Sequence, residues 1–162
     1  EKMVSMFDIE MGVHFRASII NPSYFPVPDE EFFPAWDAPP STLLSLRDRP
    51  RTVLHVSSHC DAFPRDRYVA ELSRHVDVDK FGDCFDRPWP RGGSNELNSE
   101  VNASSYKFIL AFENTIQSGY VTEKLLRNPL SHGLLPVYLG APDVDRLPSI
   151  DGSSRKWYIN AM

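Results

Sequence analysis

Tyr106-Lys-Phe-Ile-Leu-Ala-Phe112 is an apolar run interrupted only by Lys107. A strand with one face in water alternates polar and apolar residues. A strand with almost no polar positions is buried on both sides, as inside a parallel sheet. Upstream, Thr52-Val-Leu-His-Val-Ser-Ser58 is β-branched and apolar and reads as another strand. Between the two, Pro64 suits a first helical position, and Tyr68, Val69, Leu72 and Val76 recur at helical spacing. Val76-Asp-Val-Asp-Lys-Phe81 alternates and stops at Gly82, so it reads as a strand as well.

Downstream of the central run, a turn through Gln117, Ser118 and Gly119 leads to a helix predicted from about Tyr120. Val121, Leu125 and Leu126 point inward, and Pro129 breaks or kinks it. Leu134 to Leu139 reads as a further buried strand ended by Gly140, and Lys156 to Asn160 as a weaker last one. Strands alternating with helices predict an α/β fold, a Rossmann-like parallel sheet with helices on both faces. In such sheets, ligands sit in the crevice beyond the carboxyl ends of the strands.

Residues 22 to 50 follow different rules. Pro22, Pro26, Pro28, Pro34, Pro39, Pro40 and Pro50 sustain neither helix nor sheet, so this segment is read as a connecting arm laid on a surface. The chain has 162 residues, 41% of them hydrophobic, which is enough for one core. Its 17 Lys and Arg against 22 Asp and Glu argue against a polyanion-coating protein, so no nucleic-acid partner is expected. No stretch reaches the roughly 20 apolar residues of a membrane helix. The chain begins without a basic-then-apolar signal pattern, so a targeting segment is expected either to lie upstream of Glu1 or never to have existed.

Arg65 and Arg67 stand in the first turn of one predicted helix, and Lys124 stands near the start of the other. A cation there opposes the helix dipole by about 0.3–1 kcal/mol, unless an anion compensates. Asp66 and Glu123 next door offer one compensation. The recurrence at two crevice positions favours another, a bound diphosphate on free helix N–H groups. Neither a Gly-x-Gly-x-x-Gly fingerprint nor a P-loop is present to bind phosphate instead.

His55 and His59 lie four apart on or near a strand, about 13 Å of extended chain, too far for one metal, and are read as structural. Asp77-Val78-Asp79 is expected to face solvent, and Asp143-Val144-Asp145 to open a short helix. Neither is taken as a metal site, and no metal cofactor is predicted. Cys60 and Cys84 follow consecutive predicted strands and leave two states open, a disulfide or two thiols. Asn102-Ala103-Ser104 is a glycosylation sequon, and Glu113 and Glu123 are the carboxylates nearest the crevice.

Tyr106-Lys-Phe-Ile-Leu-Ala-Phe-Glu-Asn-Thr115 followed by Gly119-Tyr-Val-Thr-Glu-Lys-Leu125 resembles the signature of GDP-fucose-dependent α-1,3-fucosyltransferases. So do Ser58-His-Cys60, Arg65-x-Arg67-Tyr68-Val69, Val78-Asp79-x-Phe81-Gly82-x-Cys84 and Leu135-Pro-Val-Tyr-Leu-Gly-Ala-Pro142. The resemblance implies a two-domain glycosyltransferase of the GT-B type. Residues 1–50 would be a remnant of the amino-side region with its connecting arm, and 51–162 the donor domain, truncated at its carboxyl end. It implies that Arg65 and Lys124 neutralise the donor diphosphate, that Asn114 and Tyr120 hold the nucleotide sugar, and that Glu123 sits near the fucose or ribose. Glu113, in the same signature, joins the donor-binding set.

The implied reaction is an inverting transfer of fucose from GDP-fucose to a hydroxyl of N-acetylglucosamine in a glycan. No metal is required, and the general base is a Glu of the amino-side domain. The implied location is the lumenal side of the Golgi membrane, through an anchor outside this chain. Arg16-Ala-Ser-Ile-Ile-Asn-Pro22, Pro129 and the end at Met162 depart from the family pattern. Two other readings stay open, a noncatalytic sugar-nucleotide-binding module and a GT-B enzyme with a different donor.

Overall fold

The computed structural model describes residues 11–12, 19–20, 45–87, 103–125, 127–130, 132–146 and 158–162. The Pro-rich stretch up to residue 44, Asn102 of the sequon and Leu126 lie outside the described residues. Two short strands, β1 (Met11–Gly12) and β2 (Ile19–Ile20), pair in parallel as a separate sheet. The main sheet is built from β3 (Arg51–Val56), β4 (Val78–Phe81), β5 (Tyr106–Phe112), β6 (Leu135–Leu139) and β7 (Ile159–Asn160). Its order is β4-β3-β5-β6-β7, and every pairing is parallel.

The apolar run that suggested a doubly buried strand is β5, the central strand of the sheet, and its side chains alternate between faces. Phe108, Leu110 and Phe112 pack with Val53 and Leu139 against Val69 and Leu72 of α1 (Arg65–Leu72). Ile109 faces the other way and packs with Leu54, Phe81, Ala103 and Leu134. Ala111 on that second face meets Val121, Leu125, Tyr138 and Val144. Leu54 and Leu125 have no exposure (0%), and full burial of such a side chain contributes roughly 1.5–3 kcal/mol. Pro136 is tolerated inside β6 because β7 pairs only with Val137 and Tyr138 beyond it.

The helix predicted from Tyr120 does not form there. Residues 120–125 are turn and coil, and the next helix, α2 (Arg127–Leu130), has only four residues. One cause is Thr122, whose backbone N–H and hydroxyl both donate to Glu113 and are thereby tied to the sheet. The other is Pro129, which fits the first turn of a helix, where a missing N–H leaves no intrahelical bond unmade, and so sets the start at Arg127. Among the described residues the second sheet face is therefore covered mainly by this irregular segment and by 3-10 turns at Ala103–Ser105 and Val144–Arg146, rather than by a long helix. Pro64 is the N-cap of α1, one position earlier than expected.

The arm read as lying on a surface is held at its end. Arg49 is buried and donates from Nη1 to the Tyr106 carbonyl at 2.8 Å. Asp79 is not a solvated strand residue either. It accepts from Arg51 at 2.7 Å, from the Tyr106 hydroxyl at 2.7 Å and from Arg87 at 3.3 Å. A period-two pattern placed it on the polar face, but it could not show that β3 and β5 would bring Arg51 and Tyr106 to that face.

Candidate functional site

The strand order reverses at β3. The chain leaves β3 for β4 on one side, and β5 then returns to pair on the other side. Adjacent carboxyl ends that feed connections in opposite directions open a crevice, where open α/β sheets bind ligands. His59 follows β3 into that crevice, and Glu113 and Asn114 follow β5.

Arg65 bridges the two strand ends. Its Nη1 donates to Asn114 Oδ1, its Nη2 to the His59 carbonyl, and its Nε to Asp66 Oδ1 at 2.8 Å. Its side chain is only 2% exposed. Asp66 also accepts from the Ala62 N–H at 2.8 Å, which ties the chain leading into α1 to its first turn, and its charge offsets the cation there. Arg65 is thus the back wall of the crevice, where it holds Asn114 and the His59 loop. Arg67, beside it in sequence, is exposed on the outer side of α1.

Glu113 has a side chain with no solvent exposure (0%), and Lys124 stands over it with Nζ 3.5 Å from Oε2. Thr122 donates to Glu113 from its backbone N–H at 2.7 Å and from its hydroxyl at 2.8 Å. Burial pushes the Glu113 carboxyl above the ordinary carboxylate range, while Lys124 and Thr122 pull it back part of the way. The Lys124 ammonium also donates to Thr122 Oγ1 at 3.2 Å and to Glu123 Oε1 at 3.3 Å. With 24% of its side chain exposed, against 46% for Glu123, Lys124 is presented to solvent from a buried acidic base.

Of the residues singled out in the sequence, Arg65, Asn114, Glu113, Glu123 and Lys124 meet around the end of β5. Lys124 does so without the helix start from which its role was argued. Tyr120 joins them through its main chain, whose carbonyl accepts from the Tyr138 hydroxyl at 3.2 Å. The sequence assigns no site role to Thr122 or Tyr138, although both lie inside the quoted signatures, and Asp143 is expected there only to open a short helix. None of the three carries a sequence signal that separates an anchoring hydroxyl or carboxylate from a surface one.

Cys60 and Cys84 form a disulfide with their Cα atoms 5.2 Å apart, which closes the alternative of two thiols. It follows from the pairing of β3 with β4, which sends both loops to one edge. His55 is buried against Phe85, and among the described residues neither of its ring nitrogens has a hydrogen-bond partner. Burial first, and then the Arg65 charge, lower its pKa to about 4, while the Asp66 charge pulls the other way. Asp143 precedes a 3-10 turn as expected, and its carboxylate accepts from the Ser118 hydroxyl and from the Gly119 N–H at 2.8 Å. Asp145 accepts from the Tyr158 hydroxyl at 2.6 Å. Among the described residues no group of three or more His, Cys, Asp or Glu is placed to hold a metal ion, and no helix is long and apolar enough to cross a membrane.

Residues 46–154 match the family model described as glycosyltransferase family 10 (fucosyltransferase), C-term. The chain is 44% identical over 113 residues to GDP-fucose protein O-fucosyltransferase 3 of Gallus gallus, covering 65% of this chain and 24% of that one. It is 42% identical over 112 residues to the protein of the same name from Bos taurus, covering 64% and 23%. The chain thus spans about a quarter of the length of the curated relatives it matches. A solved structure of an alpha1,3-fucosyltransferase with GDP-fucose aligns at a TM-score of 0.49 with 29% identity, over 62% of this chain and 28% of that one.

Proposed function

Because the chain belongs to glycosyltransferase family 10, the fucosyltransferases, and matches its C-terminal part, we propose that it is the donor-binding domain of an enzyme that transfers fucose from GDP-fucose. The observation that carries this reading is the partly exposed pair Glu123 and Lys124, held over buried Glu113 at the switch-point crevice. A diphosphate in that crevice competes with Glu123 for the Lys124 ammonium. Asn114, fixed by Arg65, and Tyr120 line the approach for the rest of the nucleotide sugar.

In the proposed step an acceptor hydroxyl oxygen bonds to the anomeric carbon of fucose while the bond from that carbon to the diphosphate oxygen breaks. GDP leaves with the electron pair, and the acceptor proton passes to a base in the amino-side region. One displacement inverts the configuration. Lys124 meets the charge growing on the leaving diphosphate, with Arg65 behind it, and Glu123 meets the positive charge growing on the sugar ring. These cations, rather than a metal, are assigned the neutralising role because three of the four Asp-x-Asp carboxylates are engaged elsewhere, which leaves exposed Asp77 without a free partner carboxylate. Asp79 accepts from Arg51, Tyr106 and Arg87, Asp143 from Ser118 and Gly119, and Asp145 from Tyr158. The disulfide supports an oxidising lumenal compartment such as the Golgi.

The relatives are named protein O-fucosyltransferases, which supports a hydroxyl on a protein as the acceptor. An N-acetylglucosamine hydroxyl in a glycan is the second reading, favoured by the signature from Tyr106 to Leu125. Labelled GDP-fucose offered to a folded protein domain and a GlcNAc-terminated glycan in one assay separates them. Label released from protein by β-elimination supports the first reading, and label on the glycan the second. Binding without any transfer, in an assay where the amino-side region with its base is supplied, supports a noncatalytic module. Tighter binding of GDP-mannose or a UDP-sugar than of GDP-fucose overturns the donor.

A further inference from the structure

The segment from Gly119 to Lys124 has no regular secondary structure, yet it is tied down at three points. Asp143 accepts from the Gly119 N–H at 2.8 Å and from the Ser118 hydroxyl. The Tyr138 hydroxyl donates to the Tyr120 carbonyl at 3.2 Å and accepts from the Ala141 N–H at 2.8 Å. Glu113 takes both donors of Thr122. The first two anchors belong to no signature role, and one of them is built into the sheet.

Tyr138 sits in β6 in register with Ala111, is fully buried (0%), and has its ring edge-on to Tyr158 with centroids 6.3 Å apart. A buried phenol needs partners for its hydroxyl, and here both bonds go to main-chain groups of the loops around the crevice. The chain just after β6 has to pass this hydroxyl closely. A Cβ at Gly140 would fall on the Tyr138 hydroxyl and lie 2.6 Å from Glu113 Cγ. Glycine at 140 therefore lets the Tyr138 and Glu113 anchors coexist at one strand end.

We infer that Tyr138, with Asp143 as a second anchor, is a positioning residue that fixes the main chain at Gly119–Tyr120 and thereby the Lys124 ammonium. Tyr138 has no surface with which to touch a donor, so it acts only through that segment. The inference rests on the GDP-fucose reading above and adds the residues that make its cationic grip rigid.

Titration of the chain and of its Tyr138→Phe and Asp143→Ala variants with GDP and with guanosine tests this, alongside thermal midpoints. The ratio of the two affinities isolates the diphosphate grip from nucleoside binding. The ratio is expected to fall about tenfold in Tyr138→Phe and by less in Asp143→Ala, with guanosine affinity nearly unchanged. A hydroxyl with a merely structural role lowers the midpoint or weakens both ligands together and leaves the ratio intact, which overturns the positioning role. If Tyr138→Phe does not fold, Asp143→Ala on its partly exposed turn decides, and an unchanged ratio there overturns the role equally. An unmodified chain that binds GDP no tighter than guanosine overturns the donor reading, and this inference with it.

Discussion

The ammonium of Lys124 stands 3.5 Å from a Glu113 carboxylate that solvent does not reach. A buried acid beneath a partly exposed cation fixes the cation without occupying its outward side. Thr122 completes the arrangement, since its hydroxyl donates to Glu113 and accepts from Lys124. Thr122→Val keeps the shape and removes that hydroxyl. It should lower stability by about 1–3 kcal/mol at neutral pH, because an ionised buried carboxylate loses a donor. The loss should shrink as the pH is lowered and Glu113, whose pKa burial moves above the ordinary carboxylate range, takes up its proton, and urea denaturation over a pH series from neutral into acid reads the difference. A loss that stays equal across the series contradicts the assignment.

Arg65 is expected to be structural as well as functional. Arg65→Ala leaves Asn114, the His59 carbonyl and Asp66 without their shared donor, and about 2–4 kcal/mol of stability should go with it. Arg65→Lys should restore only part of it, because a point charge cannot serve three separated acceptors. A thermal midpoint unmoved by Arg65→Ala argues against the back-wall role.

His55 predicts an acid limb of the stability curve. Its pKa is about 4 in the fold against 6.5 in the unfolded chain. Between those values the unfolded state binds a proton that the folded state refuses, so stability drops as the pH falls through that window, by at most about 3 kcal/mol. His132, also lowered to about 4, adds in the same direction. His55→Phe suits the contact with Phe85, removes two unpartnered nitrogens and should narrow the gap between melting temperatures at pH 7 and pH 4.5. An unchanged gap contradicts this.

The disulfide closes a loop of sequence separation 24 that contains α1 and β4. Its removal by Cys60→Ser with Cys84→Ser should lower stability by about 3 kcal/mol through freedom returned to the unfolded chain. Dithiothreitol should lower the melting temperature of the unmodified chain and leave the double variant unaffected. Equal sensitivity of the two proteins refutes the pairing.

Much of the sheet was legible because its strands carry their burial in their own composition. Tyr106–Phe112 and Leu135–Leu139 are apolar whichever face is considered, so no tertiary knowledge was needed to find them. The segment after Gly119 was misread because Val121 and Leu125 are spaced as on a helix. The force that decides its path is instead a pair of bonds from Thr122 to a carboxylate nine residues back. Local periodicity does not register such bonds. For the same reason Arg65 and Lys124 were found as cations near strand ends, but not as one sealed and one presented. That difference depends on Asn114, Glu113 and the order of strands around β3.

The direct measurement is the affinity of GDP-fucose for the chain and for Lys124→Ala, by calorimetry at low and at physiological salt. Removing the ammonium leaves the buried Glu113 carboxylate without its cation, so the variant should melt lower, and the affinities are compared at a temperature where both proteins are folded. The variant should bind about tenfold or more weakly, with a shallower salt dependence, because one charge-assisted contact to the diphosphate is gone. Equal affinity and an equal salt slope in the two proteins would contradict the assignment of this crevice to the donor.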